Sequence, residues 1–100
     1  MMSPEYEAEY EEELFDFSTA LDALKDWEKI TRKWWNWKWM YLYLVPANAY
    51  KATTVAAMQE FWNELVPYNS YIAMRNAQAT ICMWNASNSD LLESDWIILD

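Results

Sequence analysis

The chain has 100 residues, 54% of them hydrophobic and 18% aromatic, with 16 acids against seven bases, no His, no Gly and one Cys. Such a length and content fit one domain, residues 1–100, built around a single core. Without Gly there is no P-loop and no dinucleotide fingerprint, without His no imidazole triad, and a lone Cys82 makes no internal disulfide.

Charge is distributed unevenly. Residues 1–28 sum to −9, residues 29–51 to +5 and residues 52–100 to −5, which gives the net −9. Such a surface repels nucleic acid and anionic lipid and attracts a basic protein. The start "MMSPEYEAEYEEEL" is acidic where a signal peptide would be basic and then apolar, so a cytoplasmic location is expected.

Ser3-Pro4-Glu5 reads as a helix start, with Ser3 the N-cap and Pro at the first helical position. Tyr6, Tyr10, Leu14, Phe17, Leu21 and Leu24 then share one helical arc, which predicts a long N-terminal helix over about residues 4–31. Glu5, Glu9, Glu12 and Asp16 line another face of it, with Glu7, Glu11 and Glu13 beside them.

In "RKWWNWKWMYLYLV" the residues Trp35, Trp37, Trp39, Tyr41, Tyr43 and Val45 alternate with Asn36, Lys38, Met40, Leu42 and Leu44, the period of a strand. The aromatic row is the face that most needs covering, so it is expected to be core, and Trp37→Ala to be strongly destabilising. The run is too short for a bilayer span. Arg32, Lys33 and Lys38 among the aromatics resemble a base-stacking platform, but a +5 segment in a −9 chain makes a poor funnel for phosphates.

A second helix is predicted where Tyr50, Thr54, Met58, Phe61 and Leu65 share an arc, with Asn48 as N-cap. Leu-Val-Pro-x-Asn-x-Tyr occurs at residues 44–50 and again at 65–71, and each Val-Pro should end the element before it. Residues 68–85 read either as a hairpin, with strands near Tyr68–Arg75 and Ala79–Asn85, or as one helix; Asn76-Ala77 is a poor two-residue turn. "SNSDLLES" suggests a helical turn and "DWIILD" a short strand. The expected fold is α+β in the order α-β-α-β-β-β, two helices on a small sheet, with an all-helical bundle as the alternative.

No residue set forms a catalytic, cofactor or metal constellation. Glu60 and Glu64, one helical turn apart, read as solvated acids, and Cys82 in its apolar run as a buried structural thiol. The chain is therefore expected to be non-enzymatic: a small acidic scaffold or interaction domain, of designed or computationally generated origin given the missing Gly and His. The alternative is a natural acidic inhibitor that covers a basic site on a partner protein with Glu5, Glu9, Glu12 and Asp16. No nucleic-acid or membrane partner is expected, and an uncovered sheet edge leaves a homodimer open.

Overall fold

Asp16 decides where the first helix begins. The computed structural model describes residues 13–35, 39–62 and 64–99. In it Asp16 is extended and its carboxylate accepts the Thr19 N–H at 2.9 Å, capping helix α1, Phe17–Lys25. That hydrogen bond holds the Asp16 carboxyl below its ordinary pKa. The predicted helix over 4–31 is therefore corrected: its apolar arc is real at Phe17, Leu21 and Leu24, but Asp16 competes for the backbone as a cap, and residues 1–12 lie outside the described residues.

The end of α1 shows how a chain without glycine closes a helix. Trp27 sits at φ 69°, Glu28 N–H donates to Ala23 O and Trp27 N–H to Leu24 O, each at 3.0 Å. This is the Schellman closure, in which the left-handed residue is normally Gly. Left-handed backbone costs an L-residue about 1–2 kcal/mol, less what Gly loses in chain entropy. Trp27 is exposed, so Trp27→Gly should stabilise the fold by about 1 kcal/mol in urea denaturation.

Strand β1, Lys29–Arg32, follows at once, then β2, Tyr41–Val45. Next come β3, Asn48–Lys51; α2, Val55–Glu60; β4, Leu65–Tyr68; β5, Tyr71–Arg75; β6, Ile81–Met83; α3, Asn88–Leu92; and β7, Trp96–Leu99. A five-stranded antiparallel sheet runs β6-β5-β2-β1-β7, and β3 and β4 form a separate ribbon. The fold is α+β and not a helical bundle, but the expected element order does not hold, because strands take up much of what was read as helix.

The second predicted helix is the clearest case. Asn48 begins a strand, not a helix, and α2 is six residues capped by Thr54, whose hydroxyl accepts the Ala57 N–H at 3.2 Å. The cause is long-range. Val45 lies opposite Tyr71 and Asn48 opposite Tyr68, so β2 with β5 and β3 with β4 are two parts of one ladder in a common register. Pro46-Ala47 and Asn69-Ser70 interrupt it. The repeated Leu-Val-Pro-x-Asn-x-Tyr thus faces itself across the ribbon, Val45 against Tyr71 and Tyr50 against Val66. The first Val-Pro ends β2 as expected; the second lies inside β4, which tolerates Pro67 because both strands of a two-stranded ribbon are edges.

β3, α2 and β4 form an arm that makes no substantial contact with the five-stranded sheet. The radius of gyration, 17.8 Å, exceeds the roughly 13 Å of a compact chain of this length, and the long axis is 61 Å.

The hairpin at residues 71–83 turns through five residues, not two. Asn76 Oδ1 accepts the Gln78 and Thr80 N–H groups at 3.0 and 3.1 Å, and Ala79 takes the left-handed position at φ 63°. In α3, Ser87 and Asp90 make a reciprocal capping box.

One face of the large sheet is core. Ile30, Leu42 and Trp96 are fully buried against Ala20, Ala23 and Leu24 of α1, with Trp35, Met74 and Trp84 around them. Burial of each large apolar side chain contributes about 1.5–3 kcal/mol before entropy. The expected core face of the aromatic strand is therefore inverted: Leu42 points inward, and Tyr41 and Tyr43 lie on the opposite face. Of the row, Trp35 joins the core, Trp39 is exposed, and Trp37 lies outside the described residues. α1 offers one narrow aliphatic stripe, which suits Leu better than Tyr, whose hydroxyl favours a half-wet site.

Arg32, opposite Trp96 in the register and 5.8 Å from its ring centroid, ties α3 to the β7 edge of the sheet. Its Nε and Nη2 donate to the two Asp95 carboxylate oxygens at 2.8 and 2.9 Å, and its Nη1 to Asp90 Oδ1 at 2.8 Å and Ser89 Oγ at 3.1 Å. Asp90 is buried. Burial acts to raise its pKa and is outweighed by hydrogen bonds from the Ser87 N–H, Arg32 and the Ser87 hydroxyl, and by the Arg32 charge, so it lies below the ordinary 3.8. A carboxyl depressed in the fold contributes stability above its unfolded pKa and loses it as pH falls through the folded value. Asp90→Asn should therefore destabilise the protein at neutral pH, and the gap to the wild type should narrow below pH 3.8 in acid titrations of stability.

Candidate functional site

The sheet face away from α1 carries a track of tyrosines and cations. In register, Tyr41 lies opposite Arg75, Tyr43 opposite Ala73 and Val45 opposite Tyr71, all on this side. The Tyr41 and Tyr43 ring centroids are 6.2 Å apart. Lys29 Nζ stands 5.0 Å from the Tyr41 centroid; the Arg75 guanidinium is 5.4 Å from the Trp39 ring and 6.0 Å from Tyr41. Arg75 Nη1 also donates to Trp39 O at 2.9 Å, which fixes its position. No helix among the described residues packs on this face.

The track runs to the root of the arm. There a cavity of about 330 Å³ is lined by Val45, Pro46, Tyr50, Lys51, Tyr68 and Tyr71, among others. Tyr50 and Tyr68 tilt against each other at 5.7 Å, and Asn48 Nδ2 reaches the Tyr50 hydroxyl at 3.4 Å. Tyr41, Tyr43 and Tyr71 share the open face, with Lys29 and Arg75 beside Tyr41, and Tyr71 joins Tyr50, Tyr68 and Lys51 around the cavity. The volume lies within the range of small-molecule sites. Tyrosine faces stack on flat rings and the cations take negative charge. A second cavity of about 500 Å³ lies at the arm's tip, among Met58, Phe61, Trp62 and Leu65.

The residues singled out in the sequence fall elsewhere. Glu5, Glu9 and Glu12 lie outside the described residues, as does Lys38, and Asp16 serves as the α1 cap. Arg32 is consumed by Asp90 and Asp95, and Lys33 lies over Trp34, away from the track. Glu60 ends α2, so it and Glu64 do not share a helix. Cys82 is exposed, contrary to the expected buried thiol, because β6 is an edge strand. Among the described residues no three His, Cys, Asp or Glu side chains converge, and no helix is long and apolar enough to cross a membrane. These tyrosines were missed because Tyr41 and Tyr43 were assigned to the core, and because only the pairing of β2 with β5 brings Tyr71 beside them and only the root of the arm gathers Tyr50, Tyr68 and Tyr71 around one cavity.

An aromatic strip with cations beside a cavity defines a binding protein more readily than a catalyst. Residues 15–99 match the family model Tad2-like, the Thoeris anti-defense 2-like domain, and the chain belongs to that family. Over 83 residues it is 32% identical to Thoeris anti-defense 2 of Bacillus phage SP01, a span that covers 83% of this chain and 92% of the phage protein. These matches overturn the expected designed or computationally generated scaffold: the chain is a member of a natural anti-defence family, and its glycine-free turns are carried by residues such as Trp27 and Ala79.

Proposed function

We propose that this chain counteracts the Thoeris defence by binding one of its components and withholding it, without a catalytic step, in the cytoplasm of the infected cell. The observation that carries this reading is the tyrosine strip ending in the 330 Å³ cavity beside Lys51. Its chemistry suits a flat molecule with negative charge: the rings supply stacking area, and Lys29, Lys51 and Arg75 offset the repulsion of a −9 chain. No cofactor or metal is needed for such an action.

A second reading rests on the seven acids within residues 5–16. There Glu5, Glu9, Glu12 and Asp16 would cover a basic site on a Thoeris protein, with association that weakens steeply with salt.

Phage plating on bacteria that carry a Thoeris system tests both. Expression of the chain should restore plating to the level of cells without the system; an unchanged block would overturn the anti-defence reading for this chain. Combining Glu5→Gln, Glu9→Gln, Glu12→Gln and Asp16→Asn should leave restoration intact if the tyrosine strip binds, and abolish it if the acidic residues do.

A further inference from the structure

The ribbon that joins the arm to the sheet is broken in both limbs at one level. Pairing holds at Val45 with Tyr71 and resumes at Asn48 with Tyr68, so about 10 Å of ribbon passes without a strand pair, at roughly 3.3 Å per residue. None of Pro46, Ala47, Asn69 and Ser70 takes part in a backbone–backbone hydrogen bond. Pro46 has no N–H to give to a rung, and the Asn69 and Ser70 side chains compete with a ladder for the backbone.

The hydrogen-bonding sides of the strands turn over across this break. Trp84 N–H donates to Ile72 O, so the Ile72 backbone points to β6, and its neighbours Tyr71 and Ala73 bond to β2, Tyr71 with Val45. Beyond the break the odd positions no longer bond. Pro67 has no N–H, and the Ala49 N–H goes to Asn48 Oδ1 at 2.8 Å, so the bonded pairs there are Asn48 with Tyr68 and Tyr50 with Val66. The alternation has slipped out of phase, which a continuous ladder does not allow. This turning-over carries Tyr50 and Tyr68, at even positions, to the cavity that Val45 and Tyr71 line from the sheet.

The arm also holds itself together apart from the main core. Its buried residues Ala52 and Val66 belong to no part of the cluster around Leu42 and Trp96. We propose that β3, α2 and β4 swing as one body about Pro46-Ala47 and Asn69-Ser70, and that the swing opens and closes the 330 Å³ cavity at the root. Two short segments absorb the change in φ and ψ, as hinges do. The cavity is built across them: Val45 and Tyr71 stand on the sheet side, Tyr50 and Tyr68 on the arm side, and Pro46 and Asn69 in the break itself. Its width therefore follows the angle of the arm.

Distances between spin labels on the full chain, read by double electron–electron resonance after dilution into excess unlabelled chain, test this. Cys82 on the sheet is exposed and takes one label. Val55→Cys, at the start of α2, reads the swing, and Thr53→Cys, on the cavity wall, reads its opening; both positions are exposed. Lys25→Cys, exposed on α1, gives a reference distance within the sheet body. Both arm distributions should be about twice as wide as that reference or wider. Ala47→Pro with Ser70→Pro fixes φ in both limbs at no cost in backbone hydrogen bonds and should narrow them to the reference width. Ala47→Gly with Ser70→Gly should widen them further, and stands in if circular dichroism shows the Pro variant unfolded. Wild-type distributions as narrow as the reference, or widths indifferent to the folded variants, would overturn the hinge. A broad Val55 distance with a narrow Thr53 distance would overturn the coupling to the cavity. No ligand is required, so the outcome does not depend on what the cavity binds.

Discussion

Arg32→Met should lower the stability of the protein by about 3–5 kcal/mol, because it leaves Asp90 and Asp95 facing a low-dielectric wall without their cation. For a domain of this size that corresponds to a fall in Tm on the order of 15–30 °C. Four hydrogen bonds to Asp95, Asp90 and Ser89 are lost at once, and two of the three elements they join, α3 and β7, have short spans of their own. Removing the whole network should cost less than breaking it. Arg32→Met combined with Asp90→Asn and Asp95→Asn should recover part of the loss, since the uncompensated charges are gone. Thermal unfolding of the single and triple variants, followed by circular dichroism, measures the difference.

Trp96→Ala should cost a similar 3–5 kcal/mol, the usual range for truncating a buried aromatic. Trp96 is fully buried, meets Trp35 and Trp84 edge-on at 5.6 and 6.0 Å, and tilts against Phe17 at 5.4 Å. Its Nε1–H also donates to the Asp90 carbonyl at 2.8 Å, beside the Arg32 network. Trp96→Phe keeps much of the packing and loses that hydrogen bond, so it should fall between the wild type and Trp96→Ala in urea denaturation. Trp34→Ala, at a position 79% exposed, should change stability by no more than about 0.5 kcal/mol. Eight tryptophans in one chain thus differ widely in weight, and their order in the sequence does not reveal it.

What was legible depended on whether the deciding contacts were local. Ser87-x-x-Asp90 before Leu91-Leu92 marks α3, and the apolar Trp96–Leu99 marks β7, because cap and strand run lie within a few residues. The alternation through Tyr41–Val45 marks β2 correctly, yet period two says only that two faces exist. Which one is core depends on α1, whose Ala20, Ala23 and Leu24 stripe takes Leu42 and leaves the tyrosines out.

The long helix failed because an apolar arc carries no information about Asp16 turning back to cap at Thr19. The second helix failed because Tyr50, Thr54 and Met58 fit a helical arc and a strand-turn-helix equally well, and pairing with residues 65–68 decided between them. Trp27 and Ala79 at positive φ could not be foreseen, since neither residue type favours that region. The candidate site suffered most. Its tyrosines come from both limbs of a ladder whose paired residues lie between 14 and 34 positions apart, and the acidic run drew attention to a part of the chain outside the described residues.

The most direct test of the tyrosine strip is phage plating on Thoeris-carrying cells that express Tyr50→Ala with Tyr68→Ala, alongside thermal melts of the purified variant. Both residues are about half exposed, so their loss should leave the core intact and Tm within a few degrees, on the order of 1 kcal/mol or less in stability. The account predicts that plating falls to the level of cells with no anti-defence gene while the variant remains folded. A folded variant that still restores plating in full would contradict it.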